Sequence, residues 1–478
     1  MSRETAASVL IGAGLALALA GLAGGALAAF LAAPPAVAMI ALAVDLRRRE
    51  TGRQPRYAVG AGAAALLLSF GLVVTGGLAA ALLAAVSGLA AVTAGAQRGL
   101  ALDPPPAGVA PAPRTAQVTA AAAADELVRL FYLAGALRAP SPGPAAWARD
   151  LREAAERHRE LGWAEAPERA HPTPPSLEKL SRERLSLGRL GGAETIRFES
   201  EFEPVDAEIR EAYLDVVPNR TAQVTLWRHP AGSDGEAPRP ALIVIHGYGM
   251  GRPGLDARFL DVPWLHRTVG VDVAQVTLPL HGVRALARRS GEGFVGGHPL
   301  WTNAALGQAV WELRRLTGWL RSQGAPAVGV LGMSLGGYTA ALFASVESRL
   351  ACAVPVVPVA SLTDLVLRDL SDEQRLAREA LGLTRAVLED AWAPHAPLRH
   401  APRVAPEGRL IVAGLADRIC PPEQAHALWE HWDRPAIHWF PGSHLVPLGR
   451  AALRERLAGH LRATLRTAST VPLSRFRT

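Results

Sequence analysis

Ser334 stands between Gly332 and Gly336 in the run 328–337, VGVLGMSLGG, where an apolar stretch enters a G-x-S-x-G pattern and continues into a helix-forming segment. A serine on a tight strand-to-helix turn is a nucleophile for acyl transfer. The turn exposes its hydroxyl, and the residues two before and two after must be small because the backbone is strained and runs close to neighbouring elements. Gly332 and Gly336 meet that need. The bare pattern arises by chance in a chain with 46 glycines, so the strand before it and the helix after it carry the assignment.

The elements that must hold this serine begin near residue 192. There the chain changes to short apolar runs alternating with amphipathic segments. Strands are predicted at 194–202, 222–228, 241–245, 271–278, 327–331, 351–357, 409–413 and 436–440, and the clearest helices at 303–323, 336–346 and 448–467. Strands alternating with helices predict an α/β domain, a mostly parallel sheet covered by helices on both faces.

With Ser334 in this setting, residues 192–465 resemble the alpha/beta-hydrolase superfamily of serine hydrolases. The resemblance implies an eight-stranded, mostly parallel sheet and a triad in the order serine, acid, histidine. It places an oxyanion donor after a strand ending in His-Gly, and Ala241–Ile245 followed by His246, Gly247 and Tyr248 fits. The backbone NH groups of Tyr248 and Leu335 would then stabilise a developing oxyanion. The acid loop matches 410–422, LIVAGLADRICPP, with Asp417 orienting the imidazole; Asp364 and Asp433 are rivals outside such a loop. The general base matches His444 in the Gly-Ser-His run after the last strand, with His431 and His438 as nearby competitors.

The same resemblance covers 278–284, LPLHGVR, a segment that the family uses mainly for structure. His281 and Arg284 are candidates for the pocket mouth, and a turn-stabilising role explains them equally well. Residues 291–301, Gly-rich with Phe294 and Trp301, read as a loop near the site. Between two core strands, 361–402 would form a cap. There Leu381, Leu383, Val387, Leu388 and Trp392 make either an apolar wall over the serine or ordinary core.

The first hundred residues have a different composition. Residues 5–44 and 57–97 carry no charge, and each run is about twice the ~20 residues that a membrane span needs. Each is long enough to cross twice, turning at Gly24-Gly25 or Pro34-Pro35 in the first run and at Thr75-Gly76-Gly77 in the second. Four spans are the favoured reading. Two spans, one from each run, are the alternative, and a cleaved signal peptide the third. The Ala and Gly content predicts close helix contacts. Arg47, Arg48, Arg49, Arg53 and Arg56 lie between the runs, so that connection is expected on the cytoplasmic side of a bacterial-type inner membrane. With four spans Arg3, Arg98 and the catalytic domain fall there too. A Pro-rich linker occupies 101–120, a helical segment 121–191 with helices at 121–137 and 144–161, the catalytic domain 192–467 and a tail 468–478.

The net charge of +7 rests on 50 basic and 43 acidic residues, and all the basic ones but Lys179 are arginine. Outside the first hundred residues the charges nearly balance, with no basic stripe interleaved with aromatics, which argues against a nucleic-acid partner. The two cysteines, Cys352 and Cys420, exclude a disulfide framework and a cysteine-rich zinc module. Arg252 stands where a dinucleotide turn starting at Gly247 needs glycine, and no H-E-x-x-H occurs. The expectation is a membrane-anchored serine hydrolase acting on a small-molecule or lipid carboxylic ester through an acyl-enzyme on Ser334, without cofactor or metal. Peptidase or thioesterase chemistry on the same fold, or a non-catalytic membrane scaffold, are the alternatives.

Overall fold

In the computed structural model the described residues are 1–49, 51–136, 143–163, 165–229, 238–295, 299–368 and 370–469. Of the segments singled out above, residues 137–142, 164, 230–237, 296–298, 369 and 470–478 lie outside them.

Four helices open the chain: α1 (Arg3–Ala23), α2 (Ala26–Arg48), α3 (Gln54–Thr75) and α4 (Gly77–Leu102), each long and apolar enough to cross a membrane. The first hairpin turns at Gly24 and Gly25, where Gly25 has φ 87°, while Pro34 and Pro35 lie inside α2. The second turns at Gly76 and Gly77. Small residues set the distance between helices. A β-carbon on Gly62 would fall 2.7 Å from the Gly88 carbonyl oxygen, and one on Gly95 2.7 Å from that of Pro55. Leu19, Leu27, Phe30, Leu67, Phe70 and Val74 point outward, so the bundle shows an apolar exterior over a small-residue interior. Both glycine turns meet at one end, where a β-carbon on Gly76 would press the Gly24 Cα at 2.8 Å. At the other end Arg98 donates to the Met1 carbonyl.

Two helices follow, α5 (Ala116–Ala136) and α6 (Pro144–Glu160), and then nine strands: β1 (Ser181–Ser186), β2 (Gly192–Glu199), β3 (Thr221–Trp227), β4 (Ala241–Ile245), β5 (Asp272–Thr277), β6 (Val328–Met333), β7 (Cys352–Val356), β8 (Leu410–Gly414) and β9 (Ala436–Phe440). They form one sheet in the order β1-β2-β3-β5-β4-β6-β7-β8-β9. The first three strands and the β3–β5 pair are antiparallel, and β5-β4-β6-β7-β8-β9 are parallel. This is an alpha/beta-hydrolase-like sheet preceded by four long apolar helices. The ninth strand is a correction, because β1 lies where helical structure was expected. Its sequence, SRERLS, has no apolar stripe to bury. It survives as an exposed, charged edge paired to β2 across the turn 187–191.

β4, fully buried, shows how the sheet is made. Ile243 and Ile245 join the core on one face with the helices Pro299–Ser322 and Leu335–Val346, whereas Leu242 and Val244 join the other with the helices Pro253–Phe259 and Arg450–Ser469. Continuous apolar runs in β4, β6 and β8 follow from burial on both faces. Leu383, Leu388 and Trp392 of the 361–402 segment pack in the first of these cores, together with Ala148, Leu151, Ala154 and Ala155 of α6. The apolar residues proposed as a wall over the serine are therefore core between that segment and α6.

Candidate active site

Ser334 links β6 to the helix Leu335–Val346 with φ 59° and ψ −117°, a conformation that side chains adopt only when the surroundings impose it. The imposition is visible. A β-carbon on Gly332 would lie 1.9 Å from the Gly336 carbonyl oxygen, and one on Gly336 2.3 Å from that of Ile245. No side chain fits at either position. The Ser334 NH donates to the Val356 carbonyl at 2.9 Å, tying the turn to β7.

The turn after β4 lies against this serine, since a β-carbon on Gly247 would meet the Ser334 Cβ at 3.4 Å. His246 holds the turn from inside: its Nδ1 donates to the Gly247 carbonyl at 2.8 Å and its Nε2 accepts from the Leu278 NH at 3.1 Å. Burial, helped by the Arg284 charge, pushes it down to about 4, so the ring is neutral and structural. Leu335 is the first residue of its helix, where backbone NH groups have no partner within the helix. Tyr248 follows Gly247 on the loop that lies against the serine.

Asp417 and His444 come from the loops after β8 and β9. Asp417 Oδ1 accepts from the NH groups of Ile419 and Cys420 at 2.9 and 2.7 Å, and Oδ2 is 2.7 Å from His444 Nδ1. Both side chains are buried. Burial disfavours the imidazolium, but the Asp417 carboxylate outweighs it and holds His444 well above the ordinary imidazole range. The rivals fall elsewhere: Asp364 pairs with Arg385 in the cap segment, Asp433 sits in a turn with φ 64°, His431 bonds the His400 carbonyl, and His438 lies on β9.

His281 and Arg284 are inside the fold and not on a pocket wall. Arg284 makes a two-pronged ion pair with Glu312 at 2.7 and 2.8 Å and donates to the carbonyls of Thr277 and Asn219. His281 is fully buried behind Tyr248 and Phe294, its Nδ1 on the Pro279 carbonyl. The turn-stabilising reading is the one their surroundings match. The 291–301 loop turns Phe294 inward onto His281.

Two side chains at this site escaped the sequence reading. The buried Cys420 thiol lies beside His444 and Ser334, and burial raises it above the usual thiol range. Its place three residues after Asp417 was the available signal. Asp125 belongs to α5, far away in sequence. It is fully buried, and burial with the neighbouring Asp417 charge pushes its carboxyl up to about 6, leaving it ionised at neutral pH. Its neighbour Glu126 pairs with Arg418 at 2.8 Å, and Arg418 also pairs with Asp103 at the end of α4.

Among the described residues, His229, His266 and Asp272 are the group whose ligand atoms lie close enough together for a metal, within 4.8 Å. They sit at the start of β5, the opposite end of the parallel strands from Ser334, and His229 Nδ1 is already hydrogen-bonded to Asp272 at 2.9 Å.

No family model matches the chain. It is 37% identical over 286 residues to Uncharacterized protein MT2702 of Mycobacterium tuberculosis, covering 59% of this chain and 67% of that protein. It is also 37% identical over 285 residues to Uncharacterized protein Rv2627c of the same species, with the same coverage. Among solved structures it is similar to Acetyl Xylan Esterase 1 from Thermoanaerobacterium at 18% identity and TM-score 0.44, covering 65% of this chain and 97% of that one. It is also similar to the Pyrococcus horikoshii acylaminoacyl peptidase at 12% identity and TM-score 0.38, covering 60% and 42%.

Proposed function

We propose that this chain, which belongs to the same family as the two uncharacterized Mycobacterium tuberculosis proteins, is a membrane-anchored serine hydrolase that cleaves carboxylic esters. The observation that carries this reading is the strained Ser334 turn together with a buried His444–Asp417 pair closed at 2.7 Å, both beside the Cys420 thiol. Backbone strain of this kind at a polar residue in a site with a buried acid–imidazole pair is what a preorganised nucleophile requires.

The chemistry follows from the positions. Ser334 Oγ attacks the ester carbonyl carbon as its proton passes to His444 Nε2, and the tetrahedral oxyanion accepts hydrogen bonds from the NH groups of Leu335 and Tyr248. The C–O bond to the alcohol breaks, and His444 returns the proton to the leaving oxygen. Water then attacks the acyl-enzyme as His444 takes its proton, and His444 passes that proton to Ser334 Oγ as the acyl–oxygen bond breaks, releasing the free acid. Asp417 fixes the imidazole tautomer and stabilises its charged form without being protonated. The bond from the Ser334 hydroxyl to His444 Nε2 closes in the substrate complex, a closure that substrate-free sites commonly leave incomplete.

A lipid or amphiphilic ester suits this arrangement, because the loops bearing Asp417 and His444 rest on the helix that packs against the N-terminal bundle. Arg3, Arg47, Arg49, Arg53 and Arg98 cluster at the end of the bundle nearest the hydrolase-like domain, where Arg53 bonds Gln374 of the cap segment. A positive-inside orientation would make that end, and the catalytic site, cytoplasmic.

The test is labelling of the detergent-solubilised full chain with a fluorophosphonate. Wild type should label and Ser334→Ala should not, and ester turnover should depend on acyl-chain length. A folded wild type that stays unlabelled overturns the catalytic reading and leaves a non-catalytic membrane module. For orientation, Cys352 and Cys420 are buried, so a cysteine placed at Thr75 should react with an impermeant maleimide added outside intact cells.

A further inference from the structure

The acid and histidine loops hang from neighbouring parallel strands, β8 and β9, and are joined by the Ala416 NH donating to the Gly442 carbonyl at 2.8 Å and by the Asp417–His444 pair. A single carboxylate from outside the sheet ties the backbones of both loop tips together as well. Asp125 Oδ2 accepts from the backbone NH of Arg418, next to Asp417, and from the NH of His444, both at 2.9 Å. Its Oδ1 accepts from the Ser443 hydroxyl at 2.9 Å and the Leu445 NH at 3.2 Å. Four donors converge on one fully buried side chain. Only a carboxylate satisfies such a set, since an amide would turn its own NH2 on two of the donors.

The helix that carries Asp125 is itself fastened to the N-terminal bundle. Ala122 and Ala123 of α5 pack with Val59 of α3 and Ala96 of α4, and Gly99 of α4 leaves the space that Arg418 and Glu126 fill, a β-carbon there falling 2.9 Å from each. Glu126 ties the same helix to the acid loop through Arg418, both side chains being buried. The charged group Asp103, Glu126 and Arg418 therefore locks the bundle onto the loop, and Asp125 reads out the position of both loops at once.

Resting on the serine-hydrolase reading above, we infer that Asp125 is a positioning residue for the active site: through it the membrane-anchored helices hold the Asp417 and His444 loops in register, so the site is complete only with the N-terminal module docked. Asp125 touches no reacting atom; it acts through the backbone of its neighbours. A loop displacement of about 1 Å at the reacting groups is enough to lower a rate about 100-fold.

The experiment compares wild type, Asp125→Asn and Ser443→Ala as full chains in detergent, with two readouts. The first is the fluorophosphonate rate at saturating probe and the probe concentration giving half that rate. Asp125→Asn should lower the saturating rate about 10- to 100-fold and leave the half-saturating concentration unchanged. Ser443→Ala, which removes one donor of the four, should cause a smaller loss of the same kind. The second readout is amide hydrogen exchange, which should quicken over 415–421 and 441–447 in Asp125→Asn but not over β6.

Unchanged labelling kinetics in Asp125→Asn overturn the inference. So does a fall only in the fraction of protein labelled, with exchange rising throughout the sheet, because that is loss of fold and not of register. If wild type itself does not label, the hydrolase reading fails, while the local exchange pattern still decides whether Asp125 positions the two loops.

Discussion

Gly62, Gly88 and Gly95 in the N-terminal bundle and Gly332 and Gly336 on either side of the serine turn all exist because a side chain would strike a backbone oxygen, yet they serve opposite ends. In the bundle the close approach is repeated along the helices and serves only adhesion. In the sheet it is concentrated at one turn, where it forces a single serine into a backbone conformation it would not otherwise hold. A structure that spreads its constraints over many small contacts absorbs changes one at a time. One that concentrates them loses function through a single atom.

Ser334→Ala should sharpen this contrast most. It should abolish labelling and lower any ester turnover by at least about 10^4-fold while leaving the unfolding midpoint in place, because the turn's strain is held by the glycines.

Asp417→Asn should come next, with a loss of about 100- to 10,000-fold in the labelling rate, read across a pH series. The sign is fixed by the base. His444 must be neutral to accept the serine proton, and Asp417 holds it well above the ordinary value of about 6.5, so the wild-type rate should rise with pH through a midpoint above that value. In Asp417→Asn the charge that favours the imidazolium is gone and the midpoint should move to lower pH. A midpoint that does not move removes Asp417 from the role given to it.

Arg418→Met should strike the seam between the two regions. It removes the cation that Glu126 and Asp103 share, but Glu126 keeps Arg129 and Asp103 keeps Arg368, so the cost should stay below the about 3–5 kcal/mol of a fully orphaned buried charge. The check is a lowered unfolding midpoint in detergent and faster exchange in α5. Gly62→Leu should separate α3 from α4 at a cost of about 1–3 kcal/mol, seen as faster exchange in those helices with labelling at Ser334 little affected. At the far end of the scale, Val74→Leu, on a side chain 88% exposed on the bundle surface, should change stability by no more than about 0.5 kcal/mol. Equal sensitivity at Val74 and Gly62 would break the comparison.

Much of this was legible along the chain because the signals are local. A charge-free run about twice the length of a span declares two span-length helices, and Gly24-Gly25 marks the first turn; the prolines at 34 and 35 offered a second choice that the helix absorbed. An apolar strand running into Gly-x-Ser-x-Gly states both the turn and the reason for it. The strand β4 lies where its apolar run puts it, since burial on both faces writes a continuous apolar run into sequence.

What escaped the sequence is what depends on distance. The charged strand β1 has no periodic apolar signal and exists only because β2 offers it an edge. Arg284 beside a loop motif reads equally as a pocket residue or a turn-holder until Glu312, on a later helix, is seen to hold it. Asp125 in a run of alanines reads as one solvated face of a helix, and only the packing of α5 on the bundle carries it to the tips of two loops some three hundred residues downstream. The sequence by itself determined the apolar anchor, the sheet and the serine turn, whose causes are periodicity and local sterics. The tertiary structure alone decided which buried charges face one another, because the cost of an unpaired charge is settled by whatever partner the fold brings within reach.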